Sequence, residues 1–212
     1  MSEKIRQTAF IRHDEGDDEE EQTGCERPDE SKDFQLTRYL MDSRVVLVTG
    51  DVDQKLAEKV ISHLLILDQI SSDPIRVFIT SPGGHVDSGF AIHDVMRCIK
   101  SPVVAVGAGW VASIAVPILL GADHDKRFAL PNTRFLLHQP SGGAGGQAAD
   151  IRIEAKEIIK IRERINNLVS RETGQPVEKV ARDSDRNFWM SAEEAVEYGL
   201  IRKIIVSRDE LI

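Results

Sequence analysis

Short apolar runs alternate with amphipathic segments along the chain, and this order restricts the fold more than any other feature of the sequence. Residues 45–48, 77–79 and 103–106 are continuous apolar runs with the length of buried strands. Between them, residues 54–70 and 87–100 carry apolar side chains at helical spacing. Strands that are joined by helices are parallel, because a parallel connection needs a crossover of a dozen or more residues. The sequence therefore predicts an α/β fold.

The second half of the chain predicts one long helix and several shorter elements. Residues 150–171 carry a stripe of aliphatic side chains among charged ones, and Gly174 would end this helix. Ser191 and Glu194 have the spacing of a capping box, which predicts the start of a short helix. Further extended segments are expected at residues 128–137 and 201–206.

The start of the chain differs in composition from the rest. Residues 14–33 hold eleven of the 35 acidic residues and two basic ones, so their net charge is −9 and the remaining residues sum to +1. Such a run cannot bury enough apolar surface to offset the entropy of ordering it. We therefore expect residues 1–33 to be a mobile acidic tail and residues 34–212 to be one domain. The nearly neutral domain argues against a nucleic-acid partner.

Membrane and metal-binding classes are not supported by the sequence. No apolar run approaches the roughly 18 residues that span a bilayer, and the first residues lack the apolar stretch of a secretory signal. Cys25 and Cys98 lie too far apart for a disulfide framework or a metal-ligand pattern. We expect a cytoplasmic protein with reduced thiols and with no metal or cofactor.

Ser113 and His138 are the candidate nucleophile and general base of a hydrolytic site. Ser113 lies between a strand and a buried helix, where unpaired backbone N–H groups favour negative charge, although a serine there is also a common helix cap. His138 closes an apolar strand, which also fits a core histidine. The glycines of the Ser-Pro-Gly-Gly segment at residues 81–84 let a backbone approach closely, so the N–H groups of Gly84 and Ile114 could form an oxyanion hole. The same residues also fit a plain tight turn.

A set of short motifs occurs in one order along the chain: Ser81-Pro82-Gly83-Gly84, Ala112-Ser113, residues 126–132, His138-Gln139-Pro140, Gly142-Gly143, Gly146-Gln147, residues 182–186, residues 191–195 and Tyr198-Gly199-Leu200. Over roughly residues 44–205 the sequence thereby resembles the proteolytic subunits of Clp proteases (ClpP). The resemblance implies a crotonase-like spiral of βαβ units with a protruding strand-helix handle at about residues 139–172. It also implies a tetradecamer of two stacked seven-membered rings, fed with unfolded polypeptides by a hexameric AAA+ unfoldase that consumes ATP in protein quality control.

The resemblance assigns roles to individual residues. Ser113 corresponds to the nucleophile, His138 to the base, and the N–H groups of Gly84 and Ile114 to the oxyanion hole. Asn187 stands at the third triad position, where the family has aspartate. Asparagine can orient a histidine but brings no charge, and in serine proteases this exchange costs about 10⁴ in turnover. We therefore expect a serine endopeptidase that is weak or dependent on a partner. Two nearby acids, Asp183 and Asp185, are alternatives for orienting the base.

The surface that docks the unfoldase in the family also differs here. By resemblance, its aromatic side chains correspond to Arg76, His93 and Cys98, and Phe78 is the one aromatic that is kept. Replacing three apolar anchors would weaken docking by several kcal/mol, roughly. The acidic tail takes the place of the segment that forms the axial pore. Both departures put the partnership with an unfoldase in doubt.

Three functions remain open at this point. The first is a working ATP-dependent Clp peptidase subunit, which the intact Ser113, His138 and Gly84 favour. The second is a structural or regulatory subunit of a mixed ring with an active paralogue, which Asn187 and the altered docking surface favour. The third is a crotonase-fold acyl-CoA enzyme; the combination of serine, histidine and handle argues against it, and coenzyme A binding would distinguish it.

Overall fold

A parallel sheet flanked by helices forms the centre of the protein. The computed structural model describes residues 30–143 and 145–211. The helices are α1 (Glu30–Asp42), α2 (Gln54–Ile70), α3 (Val86–Cys98), α4 (Ala115–Leu119), α5 (Ala148–Thr173), α6 (Val177–Asp183) and α7 (Ala192–Tyr198). The strands are β1 (Val45–Val52), β2 (Ile75–Gly84), β3 (Val103–Ala112), β4 (Arg127–Ala129), β5 (Arg134–Leu137), β6 (Phe188–Met190) and β7 (Lys203–Ile204).

The first three strands are parallel and buried, as predicted for an α/β fold. Val46 pairs with Val77, and Val77 pairs with Ala105 on the next strand. All three side chains are almost fully excluded from solvent, so the centre of the sheet is apolar on successive strands. Helix α2 has the predicted bounds, and its first turn is capped by Asp53, which accepts a 2.7 Å hydrogen bond from the Leu56 N–H.

The sheet divides at β3, and this division places the functional site. The first half of β3 pairs with β4 through Ala105 and Arg127, whereas its second half pairs with β5 through Trp110 and Arg134. Between the two halves Gly109 has a φ of +65°, which glycine adopts without strain. Strand β6 then adds antiparallel to β5. As a result, the strand that leads to Ser113 lies beside the strand that leads to His138.

The predicted capping signals of the later helices are confirmed. Ser191 and Glu194 form a reciprocal capping box at the start of α7. Helices α5 and α7 end at Gly174 and Gly199, whose φ values of +74° and +88° are left-handed.

Residues 81–84 form the end of a strand and not the predicted turn. Gly83 and Gly84 pair with Asp51 and Val52 of β1 after an irregularity in the register. The segment stays extended because β1 continues alongside it and supplies hydrogen-bonding partners. Likewise, β3 continues to Ala112, so Ser113 follows the strand directly.

Two further expectations differ from the structure. The handle helix α5 is present, but within the described residues no strand precedes it: residues 139–143 and 145–147 are irregular. Glycine-rich backbone has low strand propensity, and no described strand lies beside it. Of residues 201–206, only Lys203–Ile204 is a strand. Helix α1 begins at Glu30. The predicted acidic tail stays a prediction, since its residues 1–29, with Cys25, lie outside the described residues.

Across residues 30–143 and 145–211, the helices are too short or too polar for any of them to span a bilayer. The same residues contain no cluster of three potential metal ligands.

Candidate active site

Ser113 has a strained backbone at the junction of β3 and α4. Its φ is +56°, in the left-handed region that residues other than glycine seldom adopt. The Ser113 N–H donates to the Leu136 carbonyl at 3.0 Å, and its carbonyl accepts from the Val116 N–H at 3.0 Å. These two bonds hold the conformation. Strain of this kind costs about 1–3 kcal/mol and is concentrated at functional sites.

Gly83 makes room for Ser113. A Cβ atom at Gly83 would lie 2.6 Å from the Ser113 Cβ and 3.1 Å from its Oγ, and the φ of Gly83 is +97°. A side chain at this position would therefore displace the serine hydroxyl. The sequence alone indicated a role for Gly84 and none specific to Gly83, because the contact between Gly83 and Ser113 joins two neighbouring strands. The two consecutive glycines were the sequence signal that could have indicated this close approach.

Ile114, one of the two predicted oxyanion residues, follows the serine directly, and Gly84, the other, follows the glycine that contacts the serine. Gly84 ends β2 against β1, where a Cβ would lie 2.4 Å from the Val52 carbonyl oxygen. Ile114 is buried and precedes α4. Among the described residues, no backbone acceptor bonds to the Ile114 N–H. This N–H is thus free for a ligand, as an oxyanion donor must be.

Ser113 and His138 line one cleft. We call it the active-site cleft; its other lining residues are Val86, Ile114, Leu137, Pro140, Ile165, Asn166, Val169, Val180 and Ser184. The hydrogen bond from Ser113 to Leu136 fixes the serine two residues from the histidine in the neighbouring strand. Within the described part of the chain, no hydrogen bond joins the two side chains. Ser113 and His138 therefore lie in the same cleft without a hydrogen bond between their side chains.

The walls of the active-site cleft are mostly aliphatic, with one polar pair. Ile165, Val169 and Val180 come from α5 and α6. Asn166 Oδ1 accepts a 3.1 Å hydrogen bond from the Ser184 Oγ, and both side chains are buried. The lining of the cleft is thus apolar apart from this pair, Ser113 and His138.

Asn187 lies opposite His138. In the antiparallel β5–β6 ladder, Leu136 faces Trp189 and Leu137 faces Phe188. The next step of this register brings His138 opposite Asn187, and both line the same surface depression. No hydrogen bond joins their side chains among the described residues.

The alternative acids differ in their contacts. The Asp183 carboxylate accepts from the Tyr198 hydroxyl at 2.9 Å and from the Lys179 ammonium at 2.8 Å, so it is engaged away from His138. Asp185 lines the depression that contains His138 and Asn187, and it faces Arg162 at 3.4 Å. Only Asp185 therefore shares a surface with the base.

The residues predicted for unfoldase docking do not lie together within one chain. Arg76 and Phe78 line an apolar groove, which we call the docking groove; its other apolar residues are Leu40, Val45, Leu130, Ile205, Val206 and Leu211. Cys98 is exposed at the end of α3. His93 is buried, contrary to its predicted place on a docking surface, because α5 packs over α3 at this position.

A serine in a strained turn, in one cleft with a histidine at the end of a neighbouring strand, is an arrangement typical of serine hydrolases. Comparison with known proteins identifies the family: the model of the Clp protease family matches residues 28–208. The chain belongs to the Clp protease family. It is a proteolytic subunit of the ATP-dependent Clp type, a serine endopeptidase.

Relatives match over most of the chain. Proteolytic subunit 3 of the ATP-dependent Clp protease of Rhizobium etli is 47% identical over 190 residues, covering 88% of this chain and 98% of that protein. Proteolytic subunit 2 of Pseudomonas aeruginosa is 50% identical over 176 residues, covering 83% and 88%. Among solved structures, ClpP1 of Listeria monocytogenes is 50% identical, with a TM-score of 0.75 and coverage of 84% and 99%. A single Asn-to-Asp mutant of the same protein matches with a TM-score of 0.78. Family membership implies assembly into oligomeric rings that work with Clp ATPases.

Proposed function

We propose that Ser113 and His138 hydrolyse peptide bonds of unfolded polypeptides, with the N–H groups of Gly84 and Ile114 as oxyanion donors. The observation that supports this most directly is the strained turn of Ser113. Its left-handed φ is combined with a glycine that leaves space for the hydroxyl and with a histidine in the same cleft. A serine with a purely structural role would not need this combination.

The proposed reaction follows the general route of serine hydrolases. His138 takes the proton from the Ser113 hydroxyl while the oxygen attacks the peptide carbonyl, and it then gives the proton to the leaving amine. Water releases the acyl group from the serine in a second attack, for which His138 is again the base. The negative oxygen of each tetrahedral intermediate would be held by the two N–H groups.

We propose that Asn187 makes this reaction slow. Its amide oxygen can accept a hydrogen bond from His138 Nδ1 and so fix the ring, but it cannot stabilise the positive charge that His138 acquires. Because Ser113 and His138 are adjacent without a hydrogen bond, we further propose that contact with neighbouring subunits completes their alignment. An active paralogue in a mixed ring is the proposed neighbour.

The second candidate is a structural or regulatory subunit of such a mixed ring. Asn187 favours it, and so does Arg76, whose guanidinium takes the place of an aromatic anchor in the docking groove. Burial, together with the charge of Arg208, lowers the pKa of Arg76, and both arginines line this groove. We propose that unfoldase docking to this chain is weak, that the chain itself needs no cofactor, and that ATP is consumed by the unfoldase.

Labelling with a fluorophosphonate probe tests the proposal. The wild type and Ser113→Ala are each treated alone and together with a candidate paralogue. Labelling of the wild type alone, lost in Ser113→Ala, supports a self-sufficient peptidase. Labelling only in the presence of the paralogue supports assembly of the site by subunit contact. No labelling under either condition overturns the catalytic proposal in favour of the structural subunit.

A further inference from the structure

Two tryptophans and an arginine form a row on the solvent side of the divided sheet. Trp110 on β3 is the register partner of Arg134 on β5. The guanidinium carbon of Arg134 lies 4.3 Å from the centre of the Trp189 ring on β6. Arg134 and Leu136 point to the same side of β5, and Leu136 pairs with Trp189, so all three side chains of the row share one face.

The aromatic row, defined as Trp110, Arg134 and Trp189, is exposed. Trp110 is 44% exposed and Trp189 is 36% exposed. Among the described residues, Arg134 forms no ion pair and its N–H groups have no hydrogen-bond acceptor. The proposed reaction uses none of the three side chains. Tryptophan and arginine are the residue types that contribute most to binding at protein surfaces, so their exposed pairing requires an explanation.

The residues of the aromatic row lie close in sequence to the proposed catalytic residues. Trp110 precedes Ser113 by three residues on the same chain segment, and Trp189 follows Asn187 by two. At about 3.3 Å per residue of extended chain, these separations are about 10 Å and about 7 Å. A polypeptide held in the active-site cleft therefore reaches the row within a few residues.

We propose that the aromatic row is a holding site for unfolded polypeptide substrates, next to the cleft in which they are cut. The preferred segment has an aromatic residue beside an acidic one. The aromatic ring stacks on an exposed indole, and the carboxylate accepts hydrogen bonds from Arg134. This inference rests on the proposed peptidase function. The row would retain a cut polypeptide for a further cut and so compensate for a slow chemical step.

A second copy of the chain is the competing occupant. A stable interface between subunits uses about 20–30 residues on each side, whereas the row consists of three side chains. Its arginine also retains its hydrogen-bonding capacity, which suits an acidic segment better than an identical copy of the same cationic row. The chemistry of the row therefore favours a peptide.

Intrinsic fluorescence gives a selective test, because Trp110 and Trp189 are the two tryptophans of the whole chain. The Ser113→Ala variant, which needs no catalytic activity, is titrated with a short tryptophan-free peptide that contains Phe-Glu pairs. We expect a saturable change in emission. The same peptide with each Phe replaced by Ala, or each Glu by Gln, should bind at least fivefold more weakly, roughly the effect of one lost contact.

Kinetics provide the second readout. In active rings, Trp110→Ala and Arg134→Gln should raise KM for an unfolded protein rich in Phe-Glu pairs by about fivefold, and leave cleavage of a dipeptide reporter unchanged. Ile70→Ala serves as a matched control because Ile70 is 68% exposed on α2, away from the row. Unaltered fluorescence, or an unchanged KM in both variants, would refute the holding site.

Two other results are informative in defined ways. Emission that depends on protein concentration and not on peptide would show that a second copy covers the row, and would overturn the inference. Peptide binding by the row, combined with no fluorophosphonate labelling of Ser113, would leave the holding site standing while the proposed catalytic function fails.

Discussion

Asn187 lies opposite His138, one step beyond the last pair of the antiparallel β5–β6 ladder. The backbone register alone sets this relationship, so it does not depend on the rotamer of either side chain. Both residues line one surface depression at the edge of the active-site cleft. We therefore expect the side chain at position 187 to orient the imidazole.

Replacing Asn187 with Asp should increase turnover at least tenfold. A carboxylate opposite His138 stabilises the imidazolium that forms during attack, an effect worth up to about 10⁴ in serine proteases. The measurement is kcat for a fluorogenic peptide in assembled rings, with Ser113→Ala subtracted as background.

Asp185→Asn is the control for this experiment, because Asp185 shares the depression with His138 but lies outside the predicted triad. We expect it to change kcat little in either background. If Asn187→Asp has no effect while Asp185→Asn abolishes activity, Asp185 orients the base and our assignment of Asn187 is wrong.

The sequence predicted those parts of the fold that depend on local patterns. Residues 54–70 were assigned to a helix with the observed bounds, because an amphipathic stripe and the preceding Asp53 act within a few residues. The capping box at Ser191 is equally local. By contrast, residues 81–84 read as a turn, because the strand that pairs with them is 30 residues away.

The site was predictable only in part for the same reason. The positions of Ser113 and His138 after apolar strands made them candidates, but each position also fits a structural residue, and the resemblance to a family was needed to assign their roles. Gly83 was missed because its contact with Ser113 crosses from β2 to the end of β3. The burial of His93 depends on α5, which lies more than 50 residues further along the chain.

Gly83→Ala should abolish labelling of Ser113. The new Cβ would stand 2.6 Å from the Ser113 Cβ, at a φ of +97° that alanine tolerates poorly. Either the serine or the strand must move, and a displacement near 1 Å costs about 10²-fold in rate. Gly143→Ala is the matched control, because a Cβ there meets no atom within 4 Å. Normal labelling of Gly83→Ala would show that the close approach is not needed.

His93 should make the protein less stable in mild acid. Burial lowers the pKa of His93 below its ordinary value of 6.5, despite the opposing hydrogen bond and charge of Asp94. Glu172 favours the protonated form and Arg97 opposes it. The unfolded chain therefore binds a proton more readily than the folded one. The contribution of His93 to the free energy of unfolding is complete above pH 6.5. It falls as the pH drops below that value, by at most about 1.4 kcal/mol per pH unit.

Urea unfolding of the wild type and His93→Leu at pH 7.5 and 5.5, at one protein concentration, measures this effect. The free energy of unfolding should differ less between these two pH values in His93→Leu than in the wild type. His124→Gln is the control, since His124 is exposed. An equal pH dependence in the wild type and His93→Leu would contradict the assignment.

Breaking the ion pair between Arg127 and Glu172 should lower the free energy of unfolding more than breaking any other polar contact of the fold. Arg127 is fully buried in β4, where it also donates to the Ala122 carbonyl at 2.7 Å and to the Glu172 carbonyl at 3.0 Å. These bonds hold the end of the handle helix α5 against the sheet. Removing one partner of a buried pair leaves an uncompensated charge and costs about 3–5 kcal/mol. We expect a loss of this size for Glu172→Gln in urea unfolding.

Glu157→Gln is the matched control, because Glu157 pairs with Lys160 at 2.6 Å on the exposed face of the same helix. An exposed pair contributes about 0–1 kcal/mol, so this variant should unfold almost like the wild type.

The pH dependence of unfolding distinguishes the buried pair from the exposed one as well. Burial would raise the pKa of Glu172, but the hydrogen bond and charge of Arg127 outweigh it and hold that pKa below 4.5. The contribution of the pair is therefore present above pH 4.5 and is lost as the pH falls through the lowered pKa. Equal losses in the two variants would mean that the buried pair does not anchor the handle.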